Sequence, residues 1–416
     1  PPSNTPPESA HLRCVLFCGS YRRKHTAVCA AALVCRFSGL STPTSRPRIL
    51  HFVTGGFSGA TQVALDLVES ALTSGRTEPL LVLRRKPQTP RSRIEALRER
   101  GIPVATVASW PHALTVWQLV QLCRKFRPDV LVAHGFSEHL WGRYAGLIAK
   151  VPALVHVEHN SRERYTRWRL AQARWLARRT ARIVGVSEGV RHHLLDLGLP
   201  EDRTVAIPNG IQLERFAQAD QHPITERESG IVMSARFARQ KDHATLLRAV
   251  ALLKQRGCTP PVWLAGGGKK HHLEAARRLC QSLGLDDQVH FLGHCGDMPG
   301  LLMRQRICVL STHYEGMPLS LVEGMAAGCA VVGTAVPGVR ELIDHESTGL
   351  LVPPEDPGAL ADAIADLLGD PAKAERLGRQ ARQAALERHG LDLMRQRYEN
   401  LFIGLCANQP LTPTYP

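Results

Sequence analysis

The sequence predicts an α/β protein made of two doubly wound, Rossmann-like domains that face a cleft. Three observations carry this. Short apolar, β-branched runs alternate with helix-period patterns, which implies parallel strands between helical layers. The alternation stops once, in a polar stretch, and then restarts. The length of 416 residues suits two domains of about 100–200 residues each.

Folding begins at RPRILHFVTGGFSGATQVALDLVESAL. A β-branched run, Ile49 to Thr54, meets a glycine turn at Gly55 and Gly56, and a helix pattern follows through Val63, Leu67, Val68 and Leu72. PLLVLR reads as the next strand. DVLVAH is another, ending at His134 and leading into a helix from Ser137. ALVHVEH is a strand ending at His159, followed by the long basic helix YTRWRLAQARWLARRTA. RIVGVS and TVAIPNG close this half, with Asn209 and Gly210 read as a turn.

QLERFAQADQHPITERES is polar and lacks a strand pattern. Residues 216–229 are therefore assigned to a linker between a first domain, 46–215, and a second, 230–388. GIVMSARF, PVWLAGG, QVHFLG, ICVLST, CAVVGT and GLLVPP supply the second set of strands. Helices are expected at 357–369, 372–388 and 391–405. The last belongs to a terminal segment, 389–416, that crosses back to the first domain. Residues 1–45 carry apolar pieces broken by Arg and Lys, and are read as a poorly ordered extension outside the fold.

The net charge of +15 is unevenly spread. Residues 46–215 hold 26 Lys/Arg against 14 Asp/Glu, whereas 216–416 hold 21 against 22. The excess on the first domain suits an anionic partner (a membrane surface, a phosphorylated substrate or nucleic acid) or is a solvated basic face. No recognised nucleic-acid module accompanies it, so nucleic acid is set aside. The basic helix carries Arg162, Arg164, Arg167, Arg169, Arg174, Arg178, Arg179 and Arg182. Trp168 and Trp175 share one of its faces; they either rest on anionic lipid headgroups or pack on the sheet. No run approaches the roughly 20 apolar residues of a membrane span. Eleven cysteines show no C-x-x-C spacing, which argues against zinc and suits a reducing cytosol. The chain is accordingly expected to be cytoplasmic and peripheral on the inner face of a membrane.

In doubly wound sheets ligands bind beyond the C-terminal strand ends. STHYEGMPLSLVEGMAAGCAVVGTAVPGVREL, residues 311–342, leaves the strand ICVLS at that edge. A helix is expected to start near Pro318, its free N–H groups and positive end forming an anion site. Glu315 precedes this helix and Glu323 lies within it. Carboxylates beside an anion site need other partners, and sugar hydroxyls suit them. SARFARQKDHATLL adds Arg236 and Lys241 just past another strand. A guanidinium fork and an ammonium grip a diphosphate together and stabilise charge growing on it as a leaving group. Gly266, after PVWLA, allows close approach of a nucleotide. No metal motif stands out.

R-x4-K after a strand, HYEGMPLSLVEGMAAGCAVV with E-x7-E, GVRELI and GLLVPP together resemble the retaining family 4 glycosyltransferases of the GT-B fold, from about Arg48 to Leu401. TGGFSGATQ resembles that family's first glycine-rich loop and IPNGI its interdomain segment. The resemblance implies a nucleotide-diphospho-sugar donor of the UDP or GDP type, held mainly by the second domain, with no metal and no other cofactor. It implies Glu323 on the ribose hydroxyls, Glu315 on the donor sugar, and Arg236 and Lys241 on the diphosphate. The backbone of Gly316, Leu319 and Ser320 would border the sugar and phosphates, and Gly55 and Gly56 would border donor or acceptor. His159 matches the family's catalytic-site histidine, with His134 a second candidate. Retention implies front-face attack, the leaving phosphate helping to deprotonate a glycan or lipid-linked acceptor. Cell-surface polysaccharide, lipopolysaccharide or glycolipid synthesis is the implied setting.

Two rivals remain at this stage. A sugar-nucleotide epimerase shares the architecture and consumes donor without acceptor; a non-catalytic basic protein binds polyanions in a salt-dependent way. A dinucleotide reading of GGFSG is weak, because LLVLRRKP ends in arginines where an acidic residue is expected.

Overall fold

A computed structural model of the chain describes residues 46–407, apart from 58, 88 and 162–164. The expectations for residues 1–45, Arg162 and Arg164 lie outside the described residues.

The first sheet has seven strands: β1 (Arg48–Thr54), β2 (Glu78–Arg85), β3 (Val104–Ala108), β4 (Val130–His134), β5 (Ala153–Glu158), β6 (Arg182–Gly185) and β7 (Thr204–Ala206). All pair in parallel, in the order β3-β2-β1-β4-β5-β6-β7. The second has six: β8 (Glu228–Ser234), β9 (Val262–Ala265), β10 (Val289–Gly293), β11 (Gln305–Leu310), β12 (Ala330–Thr334) and β13 (Leu350–Val352). These too are parallel, ordered β10-β9-β8-β11-β12-β13. Two doubly wound parallel sheets therefore form the core, the fold class expected. β4, β5 and β12 are buried along their whole length because helices cover both faces.

One strand escaped the sequence reading. β3 lies at an edge, and its VATVA is mostly half-buried. Val104, Thr106 and Val107 favour a strand, but the run is only five residues long, is interrupted by alanine and has one fully buried side chain, so it does not stand out as an apolar strand.

Helices begin where short polar side chains cap them. Asp242, Asp356 and Asp370 each accept the backbone N–H three residues on, opening His243–Gln255, Pro357–Gly369 and Pro371–Arg388. Proline at the first turn of the latter two removes an N–H that would have had no partner. Between the sheets the polar stretch makes three one-turn 3-10 helices, Leu213–Phe216, Ala219–Gln221 and Ile224–Glu226. Phe216, Ala219 and Ile224 anchor them in the core, and Arg382 grips Asp220 through paired bonds of 2.7 and 2.8 Å.

The helix Leu391–Cys406 packs on the first sheet. Phe402 meets His51 of β1 edge-on at 5.7 Å, and Glu399 bonds Ser74 and Arg76, each at 2.7 Å.

Candidate functional site

Each sheet reverses its strand order once, between β1 and β4 in the first and between β8 and β11 in the second. Loops leaving such a pair diverge and open a crevice. Gly55, Gly56 and His134 lie at the first reversal; Arg236, Lys241, Glu315, Gly316, Leu319, Ser320 and Glu323 follow the strands of the second. His159 and Gly266 leave the neighbouring strands β5 and β9.

At the second reversal two loops are zipped together. Ser311 Oγ donates to Asp242 O at 2.7 Å, Gln240 Nε2 to Tyr314 O at 2.7 Å, and His313 N to Gln240 O at 2.9 Å. The zip sets Lys241 against Glu315 in a hydrogen-bonded ion pair, and Thr312 Oγ1 donates to the same carboxylate oxygen at 2.8 Å. Both side chains of the pair are largely buried. Arg236, five residues earlier, is exposed. The edge thus holds one cation already paired and one open to solvent.

The helix Leu319–Ala326 starts behind Pro318, and no side chain caps it. Its first-turn N–H groups point out of the helix with the positive dipole end. Leu319 and Ser320 open this helix and Glu323 lies one turn in, half-buried. Burial raises the Glu323 carboxyl above its usual range, and Arg215 opposes the shift through space. The two glutamates thus differ: Glu315 is neutralised by a lysine, while Glu323 keeps acceptor capacity for a ligand.

Backbone packing fixes two of the glycines. Gly266 has φ +146°, and a Cβ there would meet Ala235 O at 2.2 Å. Next to it, a Cβ at Gly267 would meet nothing within 4 Å, so the open floor lies one residue further on. Gly55 donates its N–H to Arg84 O at 2.9 Å and has no room for a side chain, whereas Gly56 has room.

On the first domain a row of histidines runs outward from the core. His51 Nδ1 lies 3.2 Å from His134 Nε2, and His134 Nδ1 lies 3.4 Å from His159 Nε2. His51 and His134 are buried, and burial holds His51 and His159 down to about 3 and His134 well below its usual range. All three are neutral at physiological pH, so each ring has one N–H and one acceptor nitrogen. The tautomer of each therefore dictates that of the next. Glu158 Oε1 accepts from His159 N at 2.8 Å and Asn160 N at 3.2 Å, which fixes the loop.

The two edges meet at Gly316. A Cβ there would lie 2.1 Å from His159 O. Ser187 Oγ donates to Gly316 O at 2.9 Å, and Ser161 Oγ donates to Glu315 O. Glu341 accepts from Gly189 N, and its Oε1 lies 3.2 Å from Ser187 Oγ. Sequence reasoning missed Ser161, Ser187 and the partner of Glu341. These contacts join residues more than 125 positions apart, and no local pattern marks them.

Comparison with known proteins bears on this arrangement. Residues 214–384 match the family described as "Glycosyl transferases group 1", and residues 57–215 match "Glycosyltransferase Family 4". Over 326 residues the chain is 29% identical to the D-inositol 3-phosphate glycosyltransferase of Kribbella flavida, covering 68% of this chain and 76% of that one. It is 24% identical over 268 residues to UDP-Gal:alpha-D-GlcNAc-diphosphoundecaprenol alpha-1,3-galactosyltransferase of Escherichia coli, covering 61% and 69%. The crystal structure of Anabaena Alr3699/HepE in complex with UDP-glucose superposes with a TM-score of 0.74 at 21% identity, covering 86% of this chain and 99% of that one.

Proposed function

We propose, for a chain that belongs to the group 1, family 4 glycosyltransferases of the GT-B fold, that it moves a hexosyl group from a UDP-sugar or GDP-sugar to an acceptor hydroxyl with retention. The observation that carries this is the second sheet's edge. Arg236, the Lys241–Glu315 pair and the uncapped helix Leu319–Ala326 lie together at its one strand-order reversal, opposite His159 at the join. Arg236, Lys241 and the helix end hold the diphosphate, Glu323 takes the ribose hydroxyls, and Glu315 turns toward the donor sugar. Relatives whose printed names include UDP-sugar ligands or donors support a UDP-type donor.

The acceptor oxygen forms its bond to the anomeric carbon on the face from which the diphosphate departs. The C1–O bond to the diphosphate breaks, and the acceptor proton passes to a phosphate oxygen. Arg236, Lys241 and the helix end stabilise the charge that grows on that leaving group, so transfer proceeds without a bound metal. His159, neutral, hydrogen-bonds the transferring sugar. A glycan or lipid-linked acceptor fits the Escherichia coli relative's printed name. Synthesis of cell-surface polysaccharide or glycolipid, at the cytoplasmic face of a membrane, follows from such an acceptor.

The test is donor turnover with and without acceptor, in the presence of EDTA, with the product's anomeric configuration read by NMR. Acceptor-dependent turnover giving the donor's own configuration supports the reading. Donor consumption without acceptor would instead favour the epimerase.

A further inference from the structure

Three helices on one face of the first sheet lie side by side: His112–Phe126, Phe136–Ile148 and Arg167–Ala177. This face carries most of the exposed large apolar side chains of the described residues. Trp110 (73% exposed), Trp117 (58%), Ile148 (55%), Trp168 (74%) and Trp175 (46%) all stand on it. Ring contacts cross all three helices in a continuous strip. Trp110 meets His112 at 5.1 Å, His112 stacks on Trp141 at 4.5 Å, and Trp141 meets Tyr144 at 6.4 Å. Tyr144 then stacks on Trp175 at 6.2 Å, under the Arg179 guanidinium at 3.9 Å. Between the first two helices an apolar groove of about 620 Å³ opens, floored by Val116, Val120 and Trp141.

The charge on this face is one-sided. The exposed charged side chains of the three helices and their ends are all Lys or Arg among the described residues, Arg124, Lys125, Lys150 and Arg178 among them. Their only carboxylate, Glu138, is buried and paired with Arg84 at 2.8 Å. A soluble surface normally intersperses both signs and scatters its apolar groups singly. Tryptophan amid arginine, with no exposed acid among the described residues, matches the boundary of an anionic bilayer, where indole rings sit at headgroup level and cations meet lipid phosphates.

We infer that this three-helix face docks the protein on an anionic membrane, the tryptophans entering the headgroup layer and the groove receiving acyl-chain ends. The inference deepens the proposal of a peripheral enzyme and rests on it only for orientation. It goes further than a basic Trp/Arg helix, because the strip extends across the two preceding helices to Trp110 and Trp117. Both tryptophans of the helix Arg167–Ala177 face outward rather than onto the sheet.

The test is binding of the full chain to vesicles of phosphatidylcholine with one third phosphatidylglycerol, read by sedimentation and by tryptophan quenching with brominated lipid. The expected result is binding that weakens with salt and on pure phosphatidylcholine, with quenched indole fluorescence. Trp117→Ser with Trp175→Ser should weaken it by roughly tenfold, as should Arg178→Gln with Lys125→Gln. Transfer to a water-soluble acceptor by these variants should match the parent, which separates failure of this inference from failure of the transferase reading. Absence of vesicle binding by the parent, or unweakened binding by the tryptophan variant, would overturn it. Loss on charge removal alone, with unquenched indoles, would also overturn it.

Discussion

Lys241 and Glu315, 74 residues apart, form a largely buried ion pair whose carboxylate also accepts from Thr312. Breaking one side of such a pair leaves a buried charge uncompensated. Lys241→Ala should therefore lower stability by about 3 kcal/mol, whereas Lys241→Met with Glu315→Leu should recover much of the loss. Neither variant should transfer sugar. Urea melts and donor turnover on the same samples check both parts. Recovery of turnover in the double variant would mean the pair is structural only.

His159 is held neutral by burial, so its own titration should not shape the rate. The pH profile of kcat should lack an acid limb near the ordinary imidazole value, and His159→Ala should lower kcat by about a hundredfold with little change in donor KM. His134→Phe removes the nitrogen that dictates the His159 tautomer and should lower kcat. His134→Gln, which keeps a donor and an acceptor, should recover part of it. An acid limb near pH 6.5 in the parent would contradict the neutral row.

Gly316 and Gly267 make a matched pair of alanine substitutions. At Gly316 a Cβ would strike His159 O at 2.1 Å, where the two edges join; at Gly267 it would meet nothing within 4 Å. Gly316→Ala should therefore destabilise by about 1–3 kcal/mol and slow transfer. Gly267→Ala should fold normally, so any loss it shows in donor KM reports contact with ligand. Thermal melts with donor titrations distinguish them.

Asp66 supplies a stability prediction away from the site. Burial raises its carboxyl to about 6, against a bond from Gln62 Nε2 at 3.0 Å that favours the ionised form. A carboxyl raised on folding makes the folded state bind more protons than the unfolded one. Stability therefore falls as pH rises from about 4 to about 6, and this loss persists above that window. Asp66→Asn should stabilise the protein at neutral pH by on the order of 2 kcal/mol and not at all below about pH 4. Denaturant melts across that range show whether the difference follows this sign.

The parallel two-sheet fold was legible because twelve of the thirteen strands are apolar runs bounded by turn residues. The helices expected at 357–369 and 372–388 are found within one residue, at Pro357–Gly369 and Pro371–Arg388. β3 was hidden by its edge position, its short length and its partial exposure. The candidate residues were legible as spacings within single stretches, Arg236 to Lys241 in one loop and Glu315 to Glu323 across a loop into its helix. How loops from different strands combine was not. The Lys241–Glu315 pair, the histidine row reaching back to His51, and the Ser187 and Ser161 contacts all depend on which strand ends become neighbours. The outward aim of Trp168 and Trp175 was likewise undecided by helical period alone, since both a sheet and a bilayer accept the same spacing.

The central claim, a nucleoside diphosphate held by the edge of the second sheet, is tested most directly by thermal stabilisation with UDP and GDP, without magnesium, in the parent and in Glu323→Ala. A ligand at 100 times its Kd adds about 2.7 kcal/mol, a shift of roughly a few degrees. The account predicts that one of the two nucleotides stabilises the parent and that Glu323→Ala loses most of this shift. Absence of stabilisation by either nucleotide, or a shift of the same size in Glu323→Ala, would contradict it.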